Sequence, residues 1–465
     1  MNQKKFKVNN SMAAMILTLA WPTMLEQLMQ TAVQYIDTAM VGSLGTYATA
    51  AVGATSTVSW VVGSSISALG IGFLSFIARA NGAGERESAK RASAQAALIV
   101  VIIGCLFTAI CLSCARLIPS WMQVDASILT LTSQYFAILY SPMLFRTATI
   151  VFGMVLRATG DTKTPMKVAF GVNIVNVLLN FLLIYPSRQL SLFGIYLPMP
   201  GAGLEVIGAA IASAVAFTIG GIWITIVLWK HSDISPKGQR VYPDPAILRP
   251  CLRVAFPNML QRFGTSLGYV AFASMVNSIG EVATAAHTIA NTVESAFYIP
   301  GYGMQTAAAT LAGNAYGAKD QKHMKELGRI FLPVEVILMI ISGSLLFVLA
   351  PTLVDFFSDN PQVISLGSRV LRMVAISEPF YGVSIIVEGM MQGVGKTRIP
   401  FIYNIISMWG VRIIGTYICT QTFSLGLVSA WGCMIAHNML LFALFLFTYL
   451  QGKWNPLSSQ NKANR

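Results

Sequence analysis

The sequence predicts an all-α membrane protein of twelve transmembrane helices, arranged as two pseudo-symmetric six-helix lobes. Three observations predict it. Apolar runs are long enough to cross a bilayer, basic residues are confined to alternate loops, and one numerical offset relates the first half of the chain to the second.

Apolar residues make up 55% of the 465, and charged residues only 11%. A soluble domain carries roughly a quarter charged residues, so this chain has too little polar surface to cover a water-soluble body. A helix needs roughly 20 apolar residues to span a hydrocarbon core. The first such run, 12–42, begins beyond Lys4, Lys5 and Lys7 and closes at Gly42. The second, 49–79, ends at Arg79. The third, 93–118, has Arg116 as its only charge, and the fourth, 127–156, contains Pro142. The fifth and sixth are 164–186 and 208–229. The second half supplies 249–277, 283–315, 328–350, 364–392, 399–421 and 425–451, the last with no charge if His437 is neutral. The runs are long and continuously apolar rather than short with a period of two, which selects helices over a barrel. The first run is too long for a cleavable signal peptide and lacks a small-residue cleavage site.

The net charge of +13 is distributed as a membrane protein distributes it, which argues against nucleic acid as a partner. Lysines and arginines cluster before the first run and then in every second loop: Arg79 to Arg91, Arg157 to Lys167, Lys230 to Arg253, Lys319 to Arg329, and Lys396 with Arg398. With Lys453, Lys462 and Arg465 they account for 24 of the 31 basic residues. Basic loops stay in the cytoplasm, so both termini are expected there, and an even number of spans requires the same. The expected location is the plasma (inner) membrane.

The repeat lies at an offset of 235. It pairs Ala48-Thr49-Ala50-Ala51 with Ala283-Thr284-Ala285-Ala286, Pro22 with Pro257, Met40 with Met275, Gly82-Ala83 with Gly317-Ala318, and Gly160, Thr162 and Pro165 with Gly395, Thr397 and Pro400. The chain therefore divides into a cytoplasmic tail (1–11), an N-lobe (12–229), a cytoplasmic linker (230–248), a C-lobe (249–452) and a second tail (453–465). Parallel repeats of six spans are a plan of secondary transporters, in which one lobe rocks against the other around a shared cleft.

Several pieces, in this order and spacing, carry a resemblance: Pro22; Asp37-Thr38-Ala39-Met40-Val41-Gly42; Arg157-Ala158-Thr159-Gly160-Asp161-Thr162; Asn176-Val177-Leu178-Leu179-Asn180; Gly208-Ala209-Ala210-Ile211-Ala212-Ser213; and Ala285-Ala286-His287. Over nearly its whole length the chain resembles the multidrug and toxic compound extrusion (MATE) family of bacterial efflux transporters. The resemblance implies twelve helices in two lobes. It also implies export of cationic amphipathic compounds coupled to inward Na+ or H+, with no other cofactor. A monomer is expected.

Asp37 is the leading candidate for coupling. It lies five residues inside the end of the first span, where a carboxylate is costly unless paired, wet or protonated. A group held that way can exchange a proton, a sodium ion or a cationic drug, and the resemblance gives an aspartate here the coupling role. Asn173, Asn176 and Asn180 fall on one face of the fifth span, and their amide oxygens suit sodium or can hold Asp37. The family match falls on Asn176, Asn180 and Ser213. Archaeal-type members carry a second aspartate where this chain has Asn180, which leaves Asp37 as the only acid of the cluster. The alternative use of such asparagines is interhelical glue.

Gln30, Glu26, Asn173, Glu294, Glu378 and Arg262 are candidates for the substrate cavity. Glu378 precedes Pro379, where a broken helix would expose carbonyls. The competing use is structural, such as a buried pair between Arg262 and Glu378. Arg146 is a possible partner of Asp37 or Glu26. Sodium-coupled members with a C-lobe ion site carry a glutamate in the seventh span, aligned here with Thr265, so no ion site is expected in that lobe. Pro22, Pro142, Pro257, Pro300, Pro333 and Pro379 are expected to interrupt spans, and a bend at Pro22 would move Asp37 between states.

Other classes fit less well. Gly393-Val394-Gly395-Lys396-Thr397 imitates the end of a P-loop, but Met390 stands where its first glycine belongs. No ATP-binding module is evident, so an ion gradient is the expected energy source and the chain is not expected to be an enzyme. The four histidines, His231, His287, His323 and His437, show no metal-ligand spacing, and neither do the six cysteines. A flippase for a lipid-linked precursor is the alternative function, and it would need several arginines lining the cavity.

Overall fold

The computed structural model describes residues 12–121, 124–192 and 195–458. Among these, eight single helices and two bent pairs are long and apolar enough to cross a bilayer. Helices Pro245–Asn277 and Glu281–Gly317 are long enough too, at 33 and 37 residues, and carry more polar side chains. Together they make twelve spans, and the chain is a multi-pass membrane protein.

In the first half the spans are Met12–Gly42, Thr46–Gly82, Arg86–Ser113, the pair Leu129–Tyr140 and Met143–Ala158, Lys163–Leu183, and Glu205–Lys230. The second half supplies Pro245–Asn277, Glu281–Gly317, Gln321–Asp355, the pair Pro361–Ala375 and Glu378–Gly393, Arg398–Thr422, and Leu427–Leu450. Many helices run past the apolar stretch, because their end turns project beyond the hydrocarbon. One element departs from pure helix. Pro186–Leu192 and Ile195–Ala202 pair as an antiparallel hairpin between the fifth and sixth spans. No apolar alternation announces it in the sequence.

The first two helices of each half reach across to the other half. The first span lies along the eighth: Thr23 Oγ1 donates to the Gly303 carbonyl at 2.9 Å, and Tyr35 Oη donates to the Thr292 carbonyl at 3.0 Å. The second lies along the seventh, where Gly72 sits against the Cys251 carbonyl. At the basic ends of the second and eighth spans the two lobes meet in a near-symmetric crossing. A methyl group at Gly82 would collide with the Asn314 carbonyl, and one at Gly317 with the Arg79 carbonyl. Those two contacts exchange under the 235-residue offset. Asn81 Nδ2 donates to Asn314 Oδ1 at 2.6 Å, and Ser75 Oγ donates to the Gly393 carbonyl at 2.9 Å. The two lobes thereby touch at the basic face. Toward the opposite face Leu28, Tyr35, Ile36 and Trp60 are exposed. Gly317→Val is expected to lower stability by about 1–3 kcal/mol, the usual cost of overpacking, because the atom in the way is main chain. Thermal unfolding in detergent would check it.

The prolines act differently from the sequence expectation. The helices run unbroken through Pro22, Pro257, Pro300 and Pro333. The breaks occur beside Pro142, with a bend of 47°, and beside Pro379, with a bend of 53°. They fall at equivalent places in the two halves although the prolines themselves are offset by two residues. A helix absorbs one missing hydrogen bond when neighbours hold both flanks. It breaks where an adjoining polar residue, Ser141 or Ser377, stabilises the open turn. The segment between the sixth and seventh spans is irregular and packs on the third: Gln95 Nε2 donates to the Tyr242 carbonyl at 2.7 Å, and the Asp244 amide donates to Gln95 Oε1 at 3.0 Å. The P-loop imitation is a turn, with Gly395 at φ 84° and Lys396 donating to the Lys453 carbonyl at 2.6 Å.

Candidate cation-coupling site

Asp37 sits five residues before the end of the first span, roughly 8 Å along the helix axis. The fifth span packs beside it and presents Asn176 and Asn180 one helical turn apart on the same face. Asn180 Nδ2 donates to Asp37 Oδ1 at 2.5 Å and also to Asn176 Oδ1 at 3.2 Å. Asn176 Nδ2 donates in turn to Ser213 Oγ of the sixth span at 3.1 Å. Asp37, Asn180, Asn176 and Ser213 thus form one continuous chain across three helices. Asn180 is 1% exposed, and its Oδ1 has no hydrogen-bond partner.

Such an orphaned amide oxygen beside a carboxylate is what a hard monovalent cation accepts as ligands. It also suits a carboxyl that alternates between charge states. When Asp37 is ionised, the Asn180 amide must present its N–H. When Asp37 is neutral or holds a cation, the same amide can turn its oxygen inward. Tyr135 of the fourth span is close enough to feel the charge of Asp37. Asn173 lies a turn further along the fifth span and does not join the chain; its Nδ2 has no partner.

Glu26 is engaged in an ion pair. Its carboxylate receives Arg157 Nη2 on both oxygens, at 2.6 and 2.5 Å, and both side chains are nearly buried. Gln30 adds a longer contact at 3.4 Å. Arg157 carries no assigned role in the sequence reading, yet a signal exists. The offset of 235 maps Glu26 and Arg157 onto Gln261 and Gln392. In the C-lobe these two glutamines donate to one acid, Glu388, at 2.8 and 3.0 Å, with Asn404 at 3.2 Å. Both lobes therefore tie their first span to their fourth by polar contacts at one level, one with a charged pair and the other with amides around a carboxylate. Arg146 forms no ion pair with Asp37 or Glu26 among the described residues. Its guanidinium lies 5.0 Å from the Phe217 ring centroid.

In the C-lobe, Arg262 does not pair with Glu378. It lies within electrostatic reach of Glu388 instead, while both carboxylate oxygens of Glu378 lack a partner. Register explains the difference. Glu378 opens the second half of the broken tenth span, and Glu388 follows ten residues on, nearer the basic face where Arg262 also lies. Arg412 of the eleventh span is buried over the rings of Phe272, at 4.2 Å, and Tyr269, at 4.8 Å. Phe272 is the repeat equivalent of Asp37, so the two lobes place opposite chemistry at one position.

The MatE family matches the chain twice, over residues 22–182 and 257–418. The two matches begin 235 residues apart, the offset of the internal repeat. A relative from Thermotoga maritima named "Probable multidrug resistance protein NorM" is 28% identical over 439 residues, which is 94% of this chain and 92% of that protein. Another from Bacillus subtilis, "Probable multidrug resistance protein YoeA", is 26% identical over 93% of this chain and 92% of that one. A crystal structure of a MATE protein in complex with MaD3S shares the fold, with a TM-score of 0.87 at 22% identity over 97% of each chain.

Proposed function

The chain belongs to the MatE family, and on that premise we propose that it is a secondary active efflux antiporter that exports cationic amphipathic small molecules in exchange for Na+ or H+. The observation that carries this reading is the chain from Asp37 through Asn180 and Asn176 to Ser213, which joins three helices of the N-lobe around one carboxylate. The relatives from Thermotoga maritima and Bacillus subtilis are named as multidrug resistance proteins, which supports the same substrate class.

The mechanism follows from charge and contact. With the lobes in contact at the basic face, Asp37, which lies near the other end of the first span, is approached from the opposite side. A proton or sodium ion arriving there removes the need for the Asn180 N–H and loosens the tie between the first and fifth spans. An organic cation and the coupling ion compete for one carboxylate, so loading one favours release of the other. Alternating access then requires the crossing at Gly82 and Gly317 to open as the opposite face closes. Both tails, 1–11 and 453–465, and the linker 230–248 lie in the cytoplasm in this reading, and the protein acts as a monomer in the inner membrane.

The test is ethidium transport in proteoliposomes under an imposed sodium gradient and, separately, an imposed pH gradient. One gradient is expected to drive uphill movement and the other to leave it at the level of no gradient. Transport with neither gradient but with ATP would overturn the proposal.

A further inference from the structure

The exposed face of the tenth span carries two arginines that the coupling site does not use. Ser365, Arg369, Arg372 and Ile376 fall on one stripe of helix Pro361–Ala375 and the turn after it, and all four are exposed. Opposite them the ninth span presents Phe347 and Pro351. Between the two helices runs a groove of about 570 Å³ that these residues line. Its deeper part is apolar: Phe347 is 44% and Ile376 66% exposed. Arg372 is tied into the groove, with Nε donating to the Phe347 carbonyl at 3.3 Å and its guanidinium 5.6 Å from the Phe347 ring centroid. No ion pair reaches Arg369 or Arg372 among the described residues, although Asp355 and Asp359 lie where the two helices join.

Depth decides what such a groove can hold. The ninth span begins at the basic face with Gln321, so its end and the start of the tenth lie at the opposite face. Neither arginine therefore belongs to the basic loops. Arg369 and Arg372 stand roughly 12 and 16 Å along the helix from Pro361. A ninth span of 35 residues is longer than the roughly 30 Å of hydrocarbon, so the first turns of the tenth project into the headgroups beside it. The two guanidinia sit at that boundary and just below it, where a charge is costly without an anion beside it. An arginine that only snorkels extends toward water. Arg372 is instead held sideways by its Nε, which leaves both Nη groups of its planar fork to donate elsewhere. A phosphodiester fits that fork, and its acyl chains fit the apolar wall below. We propose that the groove between the ninth and tenth spans binds an anionic phospholipid of the leaflet opposite the basic face. Arg369 and Arg372 hold its phosphate, with the Ser365 hydroxyl beside them, and an acyl chain lies over Phe347 and Ile376. The groove ends beside the 53° break of the tenth span, so a lipid seated there packs against the joint of that helix. The site is separate from Asp37 and does not depend on the antiporter reading.

In the experiment a photoreactive benzoylphenylalanine replaces Phe347 in the full-length protein, which keeps an aromatic ring and the carbonyl that Arg372 uses. The protein is reconstituted in vesicles of equal parts phosphatidylglycerol and phosphatidylcholine and irradiated, and its lipid adducts are identified by mass spectrometry. Both lipids offer a phosphodiester, but the ammonium of choline cancels its charge. Phosphatidylglycerol adducts are expected to exceed phosphatidylcholine adducts by on the order of tenfold, the preference that two arginines at a membrane surface supply. Arg369→Gln/Arg372→Gln in the same background should return the ratio to that of the vesicle. Each single substitution should lower it, and the singles serve as separate arms should the double variant fail to fold. Adducts at the vesicle ratio in the parent would mean ordinary boundary lipid and overturn the proposal, as would an excess that survives both substitutions. Millimolar inorganic phosphate should leave the excess unchanged. Its loss would mean that the site takes the free anion and not the lipid, which overturns the assignment equally.

Discussion

Asp37→Asn is expected to reduce ion-driven ethidium efflux to the level of liposomes without protein, while insertion and melting temperature stay near those of the parent. The substitution is almost isosteric, and the new amide still offers an oxygen to Asn180, so the three-helix chain keeps its contacts. What it removes is the charge that a proton, sodium ion or organic cation would neutralise. A neutral side chain cannot discriminate between loaded and empty states by charge. An equilibrium moves only as far as the ligand's affinity differs between those states. Loss of transport with intact melting therefore isolates coupling from folding. Undiminished sodium- or proton-driven efflux by this variant would show that the N-lobe chain is interhelical glue.

Arg157→Met is expected to have the largest effect on stability, about 3–5 kcal/mol, because it strands the Glu26 carboxylate in the protein interior. Arg157 contacts both oxygens of Glu26, and only Gln30 at 3.4 Å is left to replace it. The double variant Glu26→Gln/Arg157→Gln should recover most of the loss. It copies the C-lobe, which already has Gln261 and Gln392 at those positions. Recovery will be incomplete, because Glu388, which gathers the two glutamines there, has Gly153 as its N-lobe counterpart. Melting curves of the three proteins in detergent give the comparison. An Arg157→Met protein that melts with the parent would mean that Glu26 is wet or protonated rather than held by its partner.

Both effects were unequally visible beforehand. Asp37, Asn176 and Asn180 stand out because polar residues inside apolar runs are conspicuous and because helical spacing puts the two asparagines on one face. Arg157 did not stand out, since an arginine at the end of a span is ordinary in a basic loop. Glu26 was visible as a buried acid, but its partner is 131 residues away and no local spacing points to it. The pairing of Arg262 with Glu378 was plausible by charge and failed on register along the tenth span. Pro22 lacks an N–H and is a candidate for a bend, and the helix assignment runs unbroken through it, with Thr23 beside it donating to the Gly303 carbonyl.

The sequence by itself determined the solvent, the number of spans and the duplicated plan. Those follow from properties that add along the chain: apolar length, the placement of positive charge, and a constant offset. Only the tertiary structure decided which buried charges meet, where helices break, and where the two lobes touch. Those depend on the relative rotation and depth of helices that are far apart in sequence, and a shift of one residue, about 1.5 Å and 100° around the axis, is enough to exchange one partner for another.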